Sequence, residues 1–274
     1  MKIYVQTDIE GIAGFCFFEN RKNPSYENIQ HRHRMYKLLT DEVNAAVQGA
    51  FDAGADEVIV NDSHGSGYNI LFEHLDPRCQ IIHGRNMSGP AWLPFLDETV
   101  DAMVLIGMHA MGGTPDAITP HSLWEVNDGD FFMSEGTMAA ALAGDFNVPS
   151  VFVSGDDKVV AEFKEKIPAI KSVQVKKALS PYQACSLIPA KACELIREGV
   201  KDAILRKDHI KPYKVPGPLR LNLLDSANHC PPLERLGDAV TAETISEAFD
   251  KYERAMPWTK MDLHDLDGFQ YPMV

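Results

Sequence analysis

The chain has 274 residues, of which 45% are hydrophobic and 24% charged, and a formal net charge of −13. That length suits one large α/β domain or two smaller ones, and the acidic balance argues against nucleic acid and anionic membrane as partners, since both need basic surface. No apolar run approaches the ~18 residues of a membrane helix, Gln6, Thr7 and Asp8 interrupt the N-terminus before a signal-peptide core can form, and the five scattered cysteines (Cys16, Cys79, Cys185, Cys193, Cys230) contain no CxxC pair and read as reduced thiols; together these predict a cytoplasmic protein.

Ile3, Tyr4 and Val5 predict an opening strand, which runs into Asp8-Ile-Glu10-Gly11. Side chains two apart in an extended chain share a side, so Asp8 and Glu10 can converge on one cation. After a loop over Phe15 to Pro24, apolar positions Ile29, Tyr36, Leu39, Val43, Val47 and Ala50 recur at helical spacing and predict a helix from Tyr26 to Ala53, stopped by Gly54. His31 and His33, beside Arg32 and Arg34, read as its solvated basic face. Glu57 to Asn61 is the second strand, followed by Asp62-Ser-His64-Gly. The βαβ unit so formed is right-handed and parallel by general rule and sets His64 at the same sheet edge as Asp8. Asn61 and Asp62 suit either orientation of a ligand histidine or simple turn formation.

Gln80 to His83 is a short third strand, and Pro90 to Leu96 a connector. Asp101 to Gly107 is an unbroken apolar strand, as expected when both faces are buried, and it delivers His109. A loop with Thr114-Pro115 and Pro120-His121-Ser122 follows. Leu123–Val126 and Asp130–Met133 flank Asn127-Asp128-Gly129, a strong hairpin signal. Ser134 is an N-cap candidate for a helix with Glu135 in its first turn and Met138, Ala139 and Leu142 on its apolar side. Ser150 to Ser154 is a strand, leading through Gly155-Asp156-Asp157 to a helix over Val159 to Lys166. Beyond Pro168 the pattern loosens: a strand at Val173 to Val175, a helix over Pro189 to Lys207 with proline at its first turn, a strand at Leu219 to Leu224 and a helix over Ala242 to Met256. These elements predict a mostly parallel α/β sheet flanked by helices in three layers, with a smaller C-terminal α/β portion. Residues 1–170 are expected to form the metal-binding catalytic domain, and residues 171–274 a portion for packing and oligomerisation, in which Asp225 and His229 are the nearest things to further ligands.

The strand ends thus carry Asp8, Glu10, His64 and His109, with Glu135 across the hairpin. Oxygen and nitrogen ligands without sulfur suit zinc, with manganese as the second choice. Five such ligands serve two metals with three protein bonds each if one carboxylate, Asp8, bridges. Gly11 and Gly14 do not complete a dinucleotide-binding fingerprint.

Taken as a set, Asp8-Ile-Glu10-Gly11, Val60-Asn-Asp-Ser-His64, Gly107-Met-His109-Ala110, Thr114-Pro115 with His121-Ser122, and Glu135 before a small-residue helix resemble the bacterial D-aminopeptidase family. The resemblance runs in matching order from Met1 to about Asp157; the Phe15–Phe18 loop, the His31–Arg34 cluster and the tail after Pro257 depart from it. It implies that Asp8, Glu10, His64, His109 and Glu135 hold zinc, two per subunit, and that His121 is the catalytic histidine, which that family uses as nucleophile; on chemical grounds an acid–base role suits it better. It also implies a small peptide substrate with an N-terminal D-residue and self-association into a large homo-oligomer, a decamer of stacked rings being one such form. The competing readings are another dimetal hydrolase on the same scaffold, for cyclic amides or phosphoesters, and a non-catalytic metal- or peptide-binding oligomer.

Overall fold

The structure, a computed structural model, describes residues 1–17, 25–65, 67–84, 92–225 and 233–255. The Phe15–Phe18 loop and the Pro90–Leu96 connector are described only in part, and His229, Cys230 and the tail from Pro257 lie outside the described residues. Among the described residues, eleven strands and five α-helices follow in order: β1 (Lys2–Thr7), α1 (Tyr26–Asp52), β2 (Glu57–Asp62), β3 (Gln80–Ile82), β4 (Ala102–Met108), β5 (Leu123–Val126), β6 (Phe131–Met133), α2 (Glu135–Asp145), β7 (Ser150–Asp156), α3 (Asp157–Lys166), β8 (Lys171–Ser180), β9 (Gln183–Ser186), α4 (Pro189–Leu205), β10 (Leu219–Asp225), β11 (Glu234–Ala242) and α5 (Ile245–Ala255).

Seven strands form one sheet in the order β3-β2-β1-β4-β7-β8-β9, parallel except for the β8–β9 pair. The chain leaves β1 towards β2 and β3, then returns to place β4 on the other side of β1. The sheet therefore has its topological switch between β1 and β4, the place where open α/β folds bind ligands beyond the strands' carboxyl ends. Helices cover both faces. Phe152 lies against Gly199 of α4, whereas Gly155, on the opposite parity of β7, lies against Val159 of α3. Every residue of β4 and β7 is buried, which is why β4 is apolar almost throughout and β7 carries the apolar run Val151–Val153.

A second, four-stranded sheet, β11-β10-β5-β6, stands beside the first. Its core is built on Trp124, Met133, Leu221, Phe249 and Tyr252. Helix α2 lies between the two cores: Ala139, Ala140 and Ala143 pack into the large one, and Met138, Ala141 and Leu142 into the small one. It is buried from Gly136 to Gly144, so its apolar side wraps all round instead of forming one stripe. The segment after residue 170 is shared between the sheets, with β8, β9 and α4 extending the large one and β10, β11 and α5 completing the small one.

The ends of the elements follow local chemistry. Ser25 Oγ accepts from Asn28 N–H at the start of α1, Ser134 Oγ from Thr137 N–H at the start of α2, and Asp156 from Lys158 and Val159 at the start of α3. The hairpin between β5 and β6 turns through Asn127 and Asp128 at φ 52° and 57° and Gly129 at φ 103°. No helix among the described residues is long and apolar enough to cross a membrane.

The switch point needs the β1 and β4 ends to approach closely. A Cβ on Gly11 would meet the Met108 carbonyl oxygen at 2.1 Å, and one on Gly107, whose φ is +72°, would meet that of Asp8 at 2.2 Å. At Gly54, φ +89°, nothing lies within 4 Å. Gly54→Ala should therefore cost only the ~1–2 kcal/mol of a left-handed residue. Gly107→Ala should cost clearly more, because backbone must move as well. Denaturant unfolding of the two variants checks this; equal losses would contradict the close approach.

Candidate metal centre

The centre begins where β1 ends. Asp8 N–H donates to Ile106 O at 2.8 Å and Gly11 N–H to Gly107 O at 2.7 Å, so the chain after β1 is sewn to β4. Asp8 and Glu10 are buried there, 7% and 1% exposed. Beside them β2 ends in a hydrogen-bonded net: Thr7 Oγ1 donates to Asn61 O, Asn61 Nδ2 to Gln6 Oε1, Gln6 Nε2 to Ser63 Oγ and Ser63 Oγ to Thr7 O. Asp62 accepts from the backbone N–H groups of Asn69 and Ile70, and Asn69 Nδ2 donates to both Asp62 and His64 O. Asp62 thus shapes the turn that carries His64, the turn-forming role of the two open at sequence level. The His64 ring turns its Nδ1 towards Asp8 Oδ1 at 3.1 Å and Glu10 Oε2 at 3.2 Å.

His109, at the end of β4, is 1% exposed. Its Nδ1 lies 2.8 Å from Ala110 O, so Nδ1–H donates there and the Nε2 lone pair faces inward. Nε2 stands 3.6 Å from Asp8 Oδ2 and 3.8 Å from Glu135 Oε2. The two oxygens of Asp8 therefore face different histidines. Glu135 enters from the first turn of α2, which the N-cap at Ser134 aims at the centre.

His121 comes from the loop between β4 and β5. Asp116, Thr119 and Ser122 in that loop all have positive φ (55°, 38° and 53°), a strained backbone for non-glycine residues and one that needs its surroundings to hold it. Ile118 N–H donates to Asp156 Oδ2, Thr119 N–H to Pro181 O, and Gly112 N–H to Ser122 O. His121 Nδ1 lies 2.9 Å from Thr119 O and its Nε2 3.8 Å from Glu10 Oε1 and from Glu135 Oε1. Its ring stacks on His109, centroids 4.0 Å apart. All six side chains expected from the sequence thus converge, in two groups whose ligand atoms lie within 4.8 Å: Asp8, Glu10 and His64, and His109, His121 and Glu135.

The charges of this cluster are strongly linked. Burial, then the neighbouring Glu10 charge, pushes Asp8 up to about 8. Burial also opposes the charge on Glu10, but the His64 and His121 imidazoles outweigh it and hold Glu10 well below the usual carboxylate range. Burial disfavours a charged His64, yet Glu10 and Asp8 raise it to about 10. Against the same burial, Glu135 and Asp8 raise His109 well above its ordinary value, and His109 in turn draws Glu135 down to about 2. Both Glu10 carboxylate oxygens and His109 Nε2 are buried without a hydrogen-bond partner. Buried polar atoms are seldom left so, and inward-facing carboxylate oxygens and an imidazole lone pair are what a divalent cation takes as ligands. The residues present fit a metal.

Sequence reasoning passed over three buried charges behind the centre: Glu42 on α1, Lys176 on β8 and Glu162 on α3. Glu42 stands three residues after buried Leu39 and Glu162 three after buried Val159, on the buried faces of their helices, and Lys176 is turned inward out of phase with Val173 and Val175, where the pairing of β7 with β8 shifts register. In the sequence alone such charges read as the solvated side of an amphipathic pattern.

An α/β sheet with a carboxylate–histidine cluster at its switch point is the architecture of a metal-binding site at a ligand-binding edge. Residues 1–258 match the family described as D-aminopeptidase, and the chain belongs to that family. It is 33% identical over 222 residues to the D-aminopeptidase of Bacillus subtilis (strain 168), covering 79% of this chain and 78% of that protein. Among solved structures it is similar to the Zn-dependent D-aminopeptidase DppA from Bacillus subtilis, described as a self-compartmentalizing protease, with TM-score 0.77 and 29% identity over 91% of this chain and 94% of that one.

The raised His64 value has a consequence for metal uptake. In the metal-free protein, the stability that protonated His64 contributes is complete below its unfolded value of 6.5 and is lost as pH rises through about 10. A metal must displace that proton, so its affinity should climb through the same window. Zinc titration of metal-stripped protein should show tighter uptake and proton release on going from about pH 6 to about pH 8. Uptake independent of pH would contradict the assignment of His64 as a ligand.

Proposed function

We propose that the protein is a dizinc aminopeptidase hydrolysing short peptides or amides with an N-terminal D-amino acid, in the cytoplasm. The observation that carries this reading is the set of buried Glu10 oxygens and His109 Nε2 without partners, surrounded by Asp8, His64 and Glu135. Asp8, Glu10 and His64 would hold one zinc ion and His109 and Glu135 the other, with Asp8 serving both, a reading that its two oxygens facing different histidines support. Bound zinc supplies Lewis acidity towards the scissile carbonyl and activation of water near neutral pH.

The protein's own groups do the rest. Glu135 and His121 are partly exposed, whereas Asp8, Glu10 and His109 are buried, so substrate approaches over the first two. His121, with Nδ1–H directed at Thr119 O, presents Nε2 to the centre and can take or return a proton there. Its strained, pinned loop keeps that nitrogen in one place. Other family members' D-preference supports the choice of substrate; a panel of D-alanine and L-alanine p-nitroanilides, cyclic amides and phosphoesters tests it against the other dimetal hydrolases. Hydrolysis of the D-alanine compound alone supports this reading, and turnover confined to phosphoesters overturns it.

Self-association into a large homo-oligomer is supported by the relative described as self-compartmentalizing, and residues 171–274 are proposed to contribute to its packing. Phe72, Phe95, Tyr182, Ile188 and Leu205 stand more than half exposed and suit coverage by further copies. Free Cys16, Cys79, Cys185 and Cys193 accord with a reducing compartment. Light scattering should report a mass many times that of one chain, and a monomer at micromolar concentration would refute the assembly.

His121→Ala should keep both metals and the fold and lose ~10²–10⁴-fold in kcat. Loss of one metal would make His121 a ligand, and a trapped acyl-imidazole in the parent protein would mark it as nucleophile. Near-normal turnover would remove it from the mechanism.

A further inference from the structure

Lys176 is 1% exposed in the middle of β8, and none of the chemistry above uses it. An ammonium has three N–H donors and no acceptor. Here all three meet backbone carbonyls of one short stretch: Glu10 O, Ile12 O at 3.0 Å and Phe15 O at 2.9 Å. The Phe15 ring also faces the ammonium, 5.3 Å from its centroid. On the other side of that stretch, Glu42 Oε1 accepts Ala13 N–H at 2.8 Å. The backbone that carries Glu10 is thus wrapped round one buried cation.

Glu162 stands behind the other half. Its Oε1 accepts from Ser134 Oγ at 2.5 Å, Thr137 Oγ1 at 3.0 Å and Ser134 N–H at 3.3 Å. Its Oε2 accepts from Met111 N–H at 3.4 Å. Ser134 precedes the ligand Glu135. Met111 follows His109 in the chain and is bridged to His121. One buried carboxylate on α3 therefore ties the start of α2 to the segment after β4. The signs match what each group holds: a cation gathers carbonyl oxygens, and an anion gathers N–H and O–H donors.

We propose that Lys176 and Glu162 are positioning residues that brace the two halves of the metal centre separately, Lys176 the Asp8–Glu10–His64 half and Glu162 the His109–Glu135 half. The proposal rests on the two-metal reading given above. Neither side chain touches a metal site directly; each fixes the backbone from which ligands project, and such outer support is worth 10–100-fold in metal affinity.

The test removes zinc from the intact holoprotein with a graded chelator and reads metal per chain. The parent protein should lose zinc in two steps, and His64→Ala and His109→Ala identify them, each abolishing one. Lys176→Met, which keeps the length and removes the charge and donors, should weaken the step assigned to His64 tenfold or more and leave the other. Glu162→Gln, which sets an amide donor among donors, should do the reverse. A scaffold defect would weaken both steps alike in either variant, and that result, or no change, overturns the bracing while leaving the two-metal reading intact. A parent protein with only one zinc overturns the two-metal reading itself. If Lys176→Met does not fold, Glu162→Gln decides: selective loss at the His109 step supports the proposal, and any other pattern overturns it.

Discussion

Two carboxylates, Asp8 and Glu10, are buried side by side where β1 meets β4, and the rest of the site depends on neutralising them. A ligand oxygen of each and a ring nitrogen of His64 lie within 4.8 Å of one another. Two like charges at such a separation repel by roughly 3–4 kcal/mol at an effective dielectric of ~20, before the cost of taking each out of water. Positive charge must come from somewhere. Without metal it comes from protons: one on Asp8, whose value burial and Glu10 raise to about 8, and others on His64 and His109, whose values rise while Glu10 and Glu135 fall. With metal it comes from the cation, and the protons leave. The same cluster accounts for the unusual backbone around it, since Gly11 and Gly107 bring β1 and β4 close enough for Asp8 to face histidines from two different strands.

Most of the large sheet could be read from the sequence, because strands such as β4 and β7 are buried on both faces and their apolar runs have no other explanation. Helix α1 declared itself by periodicity, and the β5–β6 hairpin by Asn127-Asp128-Gly129. Asp8, Glu10, His64 and His109 were legible for a related reason: a polar group directly after an apolar strand in a parallel sheet has few places to be other than the ligand-binding edge; Glu135 stood out as the first-turn residue after the hairpin, and His121 was singled out by the resemblance. Their roles as a set came from resemblance, since any one of the histidines alone fits a structural role equally well.

What the sequence did not declare follows from exposure and from non-local pairing. Strands β9 and β11 are edge strands with mixed polar residues, and β11 contains Gly237 and pairs with β10 across an irregularity between Leu221 and Leu223, so alternation is absent. Strand β8 runs over ten residues, far beyond the Val173–Val175 core that its apolar residues marked. That β5 pairs with β10, nearly a hundred residues on, is fixed by tertiary packing alone. Lys176 and Glu162 were missed because a charge within an amphipathic pattern is ordinarily taken for its solvated side, and only the fold shows that these point inward.

The central claim is that this one cluster holds two metal ions through Asp8, Glu10, His64, His109 and Glu135. Anomalous diffraction from crystals of the zinc-loaded protein, recorded above and below the zinc absorption edge, tests it most directly. Two peaks are expected, one beside His64 Nδ1 and the other beside His109 Nε2, with the Asp8 carboxylate between them. A single peak, or peaks away from these side chains, would contradict it.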